Sequence, residues 1–130
     1  MSRKRILVVD NEPAVAELVE VVLQGDGYEV ETVHSGRAAL ERLAQTTYDL
    51  IVCDLHMPEV DGMDVYRAVQ ERPASAPAIL FLSGFHDSAK YLPFVRETGV
   101  AVLAKPFELT ELRQTVRRLL EPSGPDPTLT

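Results

Sequence analysis

The stretch DLIVCDLHMPEVDG, residues 49–62, decides the fold of this chain. Its apolar run, Leu50 to Cys53, does not alternate with polar residues, which is typical of a strand buried on both faces of a sheet. The run ends in Asp54, and turn residues, Pro58 and the pair Asp61–Gly62, then lead the chain away. Asp54 is therefore predicted to lie where a buried strand leaves the sheet, the edge at which open parallel sheets bind ligands.

The chain has 130 residues, of which 45% are hydrophobic and 25% charged, and this composition predicts one domain with an ordinary core. We place the domain at residues 1–121. Residues 122–130 contain three prolines and are predicted to be a flexible tail or the start of a linker. The net charge of −7 argues against direct nucleic-acid binding.

The single cysteine and the N-terminus predict a location. Cys53 has no second cysteine to pair with, which indicates a reducing cytoplasm. The apolar run Ile6–Val9 behind the basic N-terminus is too short for a signal sequence or a membrane span. We therefore expect a cytoplasmic protein with no membrane partner.

Four more β-type runs alternate with helical patterns: residues 6–9, 28–33, 78–82 and 100–104. The first helix is predicted by apolar residues that recur at helical spacing: Val15, Leu18, Val19, Val22 and Leu23. Pro93 predicts that the helix of residues 88–98 is short, starting near Pro93, or kinked there. Five alternations predict an α/β, flavodoxin-like, doubly wound sheet of five parallel strands, in the order 2-1-3-4-5, with helices on both faces.

Polar side chains follow four of the five predicted strands: the run Asp10–Asn11–Glu12, and the single residues Asp54, Ser83 and Lys105. Since the carboxyl ends of parallel strands share one edge, we expect these groups to converge. Clustered carboxylates require a cation, and oxygen ligands with few dedicated protein donors suit Mg²⁺. The added lysine and hydroxyl fit phosphoryl transfer, in which the protein mainly positions groups and neutralises charge.

Each of these residues alone has a simpler interpretation. A single strand-end aspartate such as Asp10 is more often a turn or cap residue. Ser83 before Gly84 is as often a turn hydroxyl, and Lys105 is as often an ordinary surface lysine. The combination at one sheet edge is what favours a site.

Four motifs carry a resemblance to a known family: ILVVDNEP (6–13), DLHMPEVDG (54–62), LSG (82–84) and KPF (105–107). With these motifs the chain resembles the receiver domain of bacterial two-component response regulators, of the chemotaxis-regulator type. The resemblance covers residues 4 to 121. It implies a signalling switch that catalyses only its own phosphorylation and dephosphorylation.

The resemblance also implies roles for the strand-end residues. Asp54 would accept a phosphoryl group from a phosphohistidine on a sensor histidine kinase or a histidine phosphotransfer protein. Ser83 and Lys105 would bind the phosphoryl oxygens. The Lys105–Pro106 bond would be cis. His56 and Phe85 would occupy positions that tune how fast water removes the phosphate.

The metal ligands implied by the resemblance are Asp10, Asn11, Asp54 and the backbone carbonyl of His56, with Glu12 as a further candidate for Mg²⁺. The family usually has an aspartate at the position of Asn11.

A second departure from the family lies on the last strand. An aromatic residue often stands where this chain has Val102, so the usual aromatic rotamer switch is missing. This departure concerns the route of signalling and leaves the phosphorylation itself intact.

The output would be altered binding to a downstream protein or a fused output domain, by a monomer or a weak phosphorylation-dependent dimer. The main alternative is a Mg²⁺-dependent phosphatase or phosphotransferase for small molecules, but such haloacid-type enzymes need an aspartate where this chain has His56. A flavin or nucleotide module would need a glycine-rich loop after the first strand. A degenerate receiver would not be expected to keep Asp54, Ser83 and Lys105 together.

Overall fold

The computed structural model describes residues 3–72, 76–84 and 88–121. Within these ranges, five strands alternate with five helices. The strands are β1 (Arg5–Val9), β2 (Glu29–Val33), β3 (Leu50–Asp54), β4 (Ala78–Gly84) and β5 (Ala101–Lys105). The helices are α1 (Pro13–Gly25), α2 (Gly36–Gln45), α3 (Gly62–Gln70), α4 (Ser88–Thr98) and α5 (Leu109–Leu120).

The strands form one parallel sheet in the order β2-β1-β3-β4-β5, which confirms the predicted topology. Asp54 pairs in register with Leu82, and Gly84 pairs with Lys105. The register therefore brings the ends of the three strands β3, β4 and β5 to the same edge, because all of them run in one direction.

Two hydrophobic cores lie on the two faces of the sheet. One core joins alternate strand residues such as Val8 and Val52 to helices α1 and α5. The other joins the intervening residues, such as Ile51 and Phe81, to α2, α3 and α4. Because each central strand is covered on both faces, its residues are apolar at every position, and this explains the absence of alternation in the sequence.

Helix α1 forms where the spacing predicts it, and it buries only part of its apolar residues. Ala16, Val19 and Leu23 are fully buried, but Leu18 is 46% exposed. A helix that packs on one face of a sheet buries only the stripe that points at the sheet, and Leu18 lies about 100° around the helix from Val19.

Of the two alternatives for α4, a start near Pro93 is wrong. The helix runs from Ser88 to Thr98 with Pro93 inside it. Proline removes one backbone hydrogen bond, which would have reached the carbonyl of Ala89. Tyr91 and Phe94, on either side of Pro93, pack into the second core and hold the helix there. Tertiary packing of this kind outweighs local propensity.

Local hydrogen bonds fix the first residues of two helices. The Ser35 hydroxyl accepts a hydrogen bond from the Ala38 N–H at 3.1 Å and caps α2. Asp61 and Asp64 form a reciprocal capping box at the start of α3. The Lys105–Pro106 bond is cis, as the resemblance implied.

The expectations about Phe85 and about residues 122–130 lie outside the described residues. Across the part of the chain that the structure describes, no helix combines the length and the apolar character needed to cross a membrane.

Candidate functional site

Three charged side chains meet at the carboxyl edge of the sheet. Asp10 directly follows β1, Asp54 is the last residue of β3, and Lys105 is the last residue of β5. Asp10 is fully buried, and Asp54 is 4% exposed. Buried charges require partners, and here the carboxylates and the ammonium group are partners for one another.

Lys105 contacts all of the nearby carboxylates. Its Nζ atom lies 2.9 Å from Asp10 Oδ2, 3.0 Å from Glu12 Oε1 and 3.3 Å from Asp54 Oδ2. The contact with the buried Asp10 Oδ2 atom is an ion pair that lacks the alignment of a hydrogen bond. The backbone N–H of Glu12 donates to the other oxygen, Asp10 Oδ1, at 2.9 Å.

The cluster shifts the pKa values of its members. Burial and the charge of Asp10 raise the pKa of Asp54 from 3.8 to about 6, against the opposing effects of Lys105 and the His56 N–H. Burial lowers the pKa of Lys105, but contacts with Asp10 and Glu12 and the charge of Asp54 outweigh burial and leave it above its usual value. Lys105 is therefore a permanent cation at this edge.

The same carboxylates form a candidate metal site. One oxygen from each of Asp10, Glu12 and Asp54 lies within 4.8 Å of the others. A set of hard carboxylate oxygens at this spacing fits a divalent cation that takes oxygen ligands. Asn11 is exposed, and the third carboxylate of the cluster comes from Glu12, one residue further along the chain.

Ser83 lies at this edge but its hydroxyl has a different partner. The residue is 5% exposed, and its Oγ donates to the carbonyl of Gly84 at 3.4 Å, a long hydrogen bond. Asp54 pairs with Leu82, so Ser83 follows one residue beyond it in the sheet register. The predicted serine therefore lies at the same edge as Asp54, with its hydroxyl directed at the Gly84 carbonyl.

The loop between β3 and α3 is held close to Asp54 by a glycine. A Cβ atom added to Gly62 would lie 2.9 Å from the Leu55 Cα and 3.0 Å from the Asp54 carbonyl oxygen. Only glycine permits so close a backbone approach. The Asp61–Gly62 pair thus does more than turn the chain, because it also lets the loop pack directly against the end of β3.

Sequence reasoning missed Tyr91, whose hydroxyl contacts the loop beside the site. His56, an exposed loop residue, points its Nδ1 atom at the hydroxyl of Tyr91 in α4, 3.2 Å away. The backbone N–H of His56 points at Asp54 Oδ1, 3.4 Å away. His56 and Tyr91 are 35 positions apart in the sequence, and the packing of α4 brings them together.

Comparison with known proteins decides the family. The family model described as the response regulator receiver domain matches residues 6–117. The chain belongs to the receiver domain family of two-component response regulators. This result confirms the resemblance carried by the four motifs.

Curated relatives of this receiver domain are longer proteins. It is 34% identical over 120 residues to the transcriptional regulatory protein TrcR of Mycobacterium tuberculosis, covering 92% of this chain and 46% of TrcR. It is 36% identical over 122 residues to the response regulator MprA of Mycolicibacterium vanbaalenii, covering 94% of this chain and 52% of MprA. The chain thus spans about half the length of these relatives.

Solved structures show the same architecture. The chemotaxis response regulator CheY4 of Vibrio cholerae superposes with a TM-score of 0.80 at 30% identity, over 92% of this chain and 100% of that one. A CheY-like receiver domain protein from Methanospirillum hungatei gives a TM-score of 0.82 at 26% identity, over 92% and 94% of the two chains. These matches agree with the five-stranded order found here.

Proposed function

We propose that this receiver domain, placed at residues 1–121, is a switch that is phosphorylated on Asp54. The observation that carries the proposal is the cluster at the sheet edge, where the nearly buried Asp54 carboxylate lies 3.3 Å from Lys105 Nζ and within 4.8 Å of two other carboxylates. Family membership supports the same conclusion.

The reaction follows from the chemistry of the groups. A carboxylate oxygen of Asp54 attacks the phosphorus of a phosphohistidine, a P–O bond forms, the P–N bond breaks, and the donor imidazole leaves with the electron pair. The attacking carboxylate must be ionised. The raised pKa of Asp54, about 6, still leaves it mostly ionised at neutral pH.

Lys105 is proposed to bind the phosphoryl oxygens. Its ammonium group already lies beside Asp54, and it stays charged because the surrounding carboxylates raise its pKa. Such a preorganised cation stabilises the charge that develops on the transferring group. Ser83 is proposed to turn its hydroxyl from the Gly84 carbonyl to the phosphoryl group once that group is present.

Mg²⁺ is the cation that the carboxylate cluster is proposed to hold. Asp10, Asp54 and the carbonyl of His56 would be its protein ligands, with Glu12 and Asn11 as the candidates for the remaining position. When bound, Mg²⁺ supplies positive charge that offsets both the carboxylates and the phosphoryl oxygens.

The donor is proposed to be a sensor histidine kinase or a histidine phosphotransfer protein. The output is proposed to be changed binding to a downstream protein or a fused output domain. The relatives TrcR and MprA are named a transcriptional regulator and a response regulator, which supports a regulatory output. A cytoplasmic location follows from this role.

A small-molecule phosphatase is not favoured. The residue two positions after Asp54 is His56, and its side chain is directed at Tyr91 in α4. The second aspartate that haloacid-type enzymes need is therefore absent from that position.

Intact-mass measurement tests the proposal. Incubation of the chain with acetyl phosphate or phosphoramidate and Mg²⁺ is expected to add the mass of one phosphoryl group. The Asp54→Asn variant is expected to gain none, because an amide nitrogen and oxygen are far poorer nucleophiles than a carboxylate.

Asp49→Asn is the matched control. Asp49 precedes the same strand at its opposite end, where it accepts a hydrogen bond from the Arg5 N–H at 2.8 Å. This variant is expected to take up phosphate as the unmodified chain does. Equal labelling of the Asp54→Asn chain would refute the assignment.

A further inference from the structure

The hydrogen bond between His56 and Tyr91 joins the loop after β3 to the helix after β4. These two segments follow the strands that carry Asp54 and Ser83. The His56 Nδ1 to Tyr91 Oη distance is 3.2 Å, and the ring centroids lie 6.4 Å apart. His56 is exposed and Tyr91 is 1% exposed, so the bond runs from the solvent side of the site into the core.

Tyr91 is an anchor because α4 is fixed from two sides. Phe94, one turn further along α4, packs edge-on against two rings. Its ring centroid lies 5.3 Å from that of Tyr66 in α3 and 5.7 Å from that of Phe81 in β4. Such aromatic pairs are favourable beyond the area that they bury. The Tyr91 hydroxyl is therefore held in place, and water reaches it poorly.

The loop that Tyr91 holds is in contact with Asp54. The N–H of His56 is directed at Asp54 Oδ1, 3.4 Å away, while its imidazole is directed at Tyr91. A single residue thus connects the carboxylate and the helix. Val102 of β5, which pairs in register with Phe81, has no hydroxyl or ring that could make an equivalent connection.

We propose that Tyr91 is a positioning residue that prolongs the lifetime of the phosphoryl group on Asp54. It does so by holding the His56 imidazole at the solvent side of the site. This inference rests on the proposed phosphorylation of Asp54.

The step that Tyr91 slows is hydrolysis. The oxygen of a water molecule bonds to phosphorus on the side opposite Asp54, the bond from phosphorus to the Asp54 oxygen breaks, and the carboxylate is restored. Inorganic phosphate leaves and one proton goes to solvent. An imidazole fixed against α4 narrows the approach of that water, whereas a released imidazole and a looser loop widen it.

The test compares how fast phosphorylated chains lose the phosphoryl group after the donor is removed. Intact-mass measurements at successive times give the rate. Tyr91→Phe keeps the ring and loses only the hydroxyl. We expect its phosphoryl group to be lost about three- to tenfold faster than that of the unmodified chain, the factor that one side-chain hydrogen bond corresponds to. Tyr66→Phe, a hydroxyl loss in the same hydrophobic core, is expected to decay at the unmodified rate.

A second variant separates positioning from mere structural support. His56→Ala breaks the same bond from its exposed end and is expected to speed decay as well. If Tyr91 acts through His56, Tyr91→Phe adds nothing in the His56→Ala background, and the two effects are non-additive.

The outcomes are distinguishable. A chain that never gains phosphoryl mass overturns both the proposed function and this inference. A chain that gains it, with Tyr91→Phe decaying at the unmodified rate or more slowly, overturns this inference alone. Full additivity of the two substitutions also overturns it.

Discussion

At the scale of single residues, the ionised carboxylate of Asp54 is destabilised in the folded chain. It is 4% exposed and lies beside Asp10, and both effects raise its pKa to about 6. A carboxyl group whose pKa is higher in the folded than in the unfolded chain favours folding only while it is protonated. The contribution is fully present below pH about 4 and is lost as the pH rises through about 6.

Asp54→Asn should therefore stabilise the metal-free chain at neutral pH. The difference in unfolding free energy, variant minus unmodified, is expected to grow by roughly 2 kcal/mol between pH about 4 and pH about 7.5. Urea unfolding in the presence of a chelator at several pH values measures it. A difference that stays constant or shrinks with rising pH would contradict the raised pKa.

The neutral side chain of Asn11 is expected to affect how tightly the unphosphorylated site binds Mg²⁺. The carboxylates that come together are those of Asp10, Glu12 and Asp54, and an aspartate at position 11 would add a fourth. Asn11→Asp is expected to tighten Mg²⁺ binding about fivefold or more, on the scale of charge pairs near a surface. Calorimetric titration of the unphosphorylated chains measures this, with Asn11→Ser as a neutral control. Equal Kd values would mean that Glu12 or water holds the metal in place of position 11.

Residue-level sequence reasoning found the charged groups but not their contacts. Strand-end placement alone predicts that Asp10, Asp54 and Lys105 converge, because parallel strands share an edge. The Tyr91 contact with His56 depends on the rotation of α4, and Pro93 had suggested a different start for that helix. A contact between residues 35 positions apart has no local signal in the sequence.

At the scale of elements, the start of α2 supports the site from outside. Gly36, the first residue of α2, is buried, and an added Cβ would overlap the carbonyl oxygen of Val60 in the loop between β3 and α3. That loop carries His56. Close packing of α2 on the loop therefore contributes to the geometry around Asp54.

Gly36→Ala is expected to lower stability by about 1–3 kcal/mol, the usual cost of overpacking, because the overlapping atom is backbone and cannot rotate away. Gly25→Ala is the matched control, since an added Cβ there meets nothing within 4 Å. It should be neutral or slightly stabilising. Thermal unfolding of both variants decides the matter, and equal Tm values would contradict the packing described for Gly36.

Strands were more predictable than helix faces. A strand covered on both sides is apolar at every position, so the apolar runs of β1 and β3 can be recognised from the sequence alone. A helix such as α1 buries only a stripe whose position depends on its packing partners. The exposure of Leu18 follows from that packing, and periodicity alone could not exclude Leu18 from the core.

At the scale of the whole molecule, we expect the signal from the site to travel through α4. Val102 on β5 lacks the aromatic ring that family members often have at this position. The described contacts instead connect Asp54 to α4 through His56 and Tyr91. Phosphorylation should therefore change α4 more than β5.

Amide hydrogen exchange with and without acetyl phosphate and Mg²⁺ tests this route. Residues 88–98 are expected to change protection on phosphorylation, and residues 101–105 to change little. The Asp54→Asn chain is the control and should respond at neither place. A response confined to the strand around Val102, with α4 unchanged, would contradict the route.

The most direct test of the central claim is to locate the phosphoryl group. Borohydride reduces an aspartyl phosphate to homoserine, and tandem mass spectrometry of the resulting peptides identifies the reduced position. Homoserine is expected at position 54 and nowhere else. Homoserine at position 10 or 61, the homologous product at Glu12, or phosphorylated chain with no reduced residue at 54, would contradict the assignment.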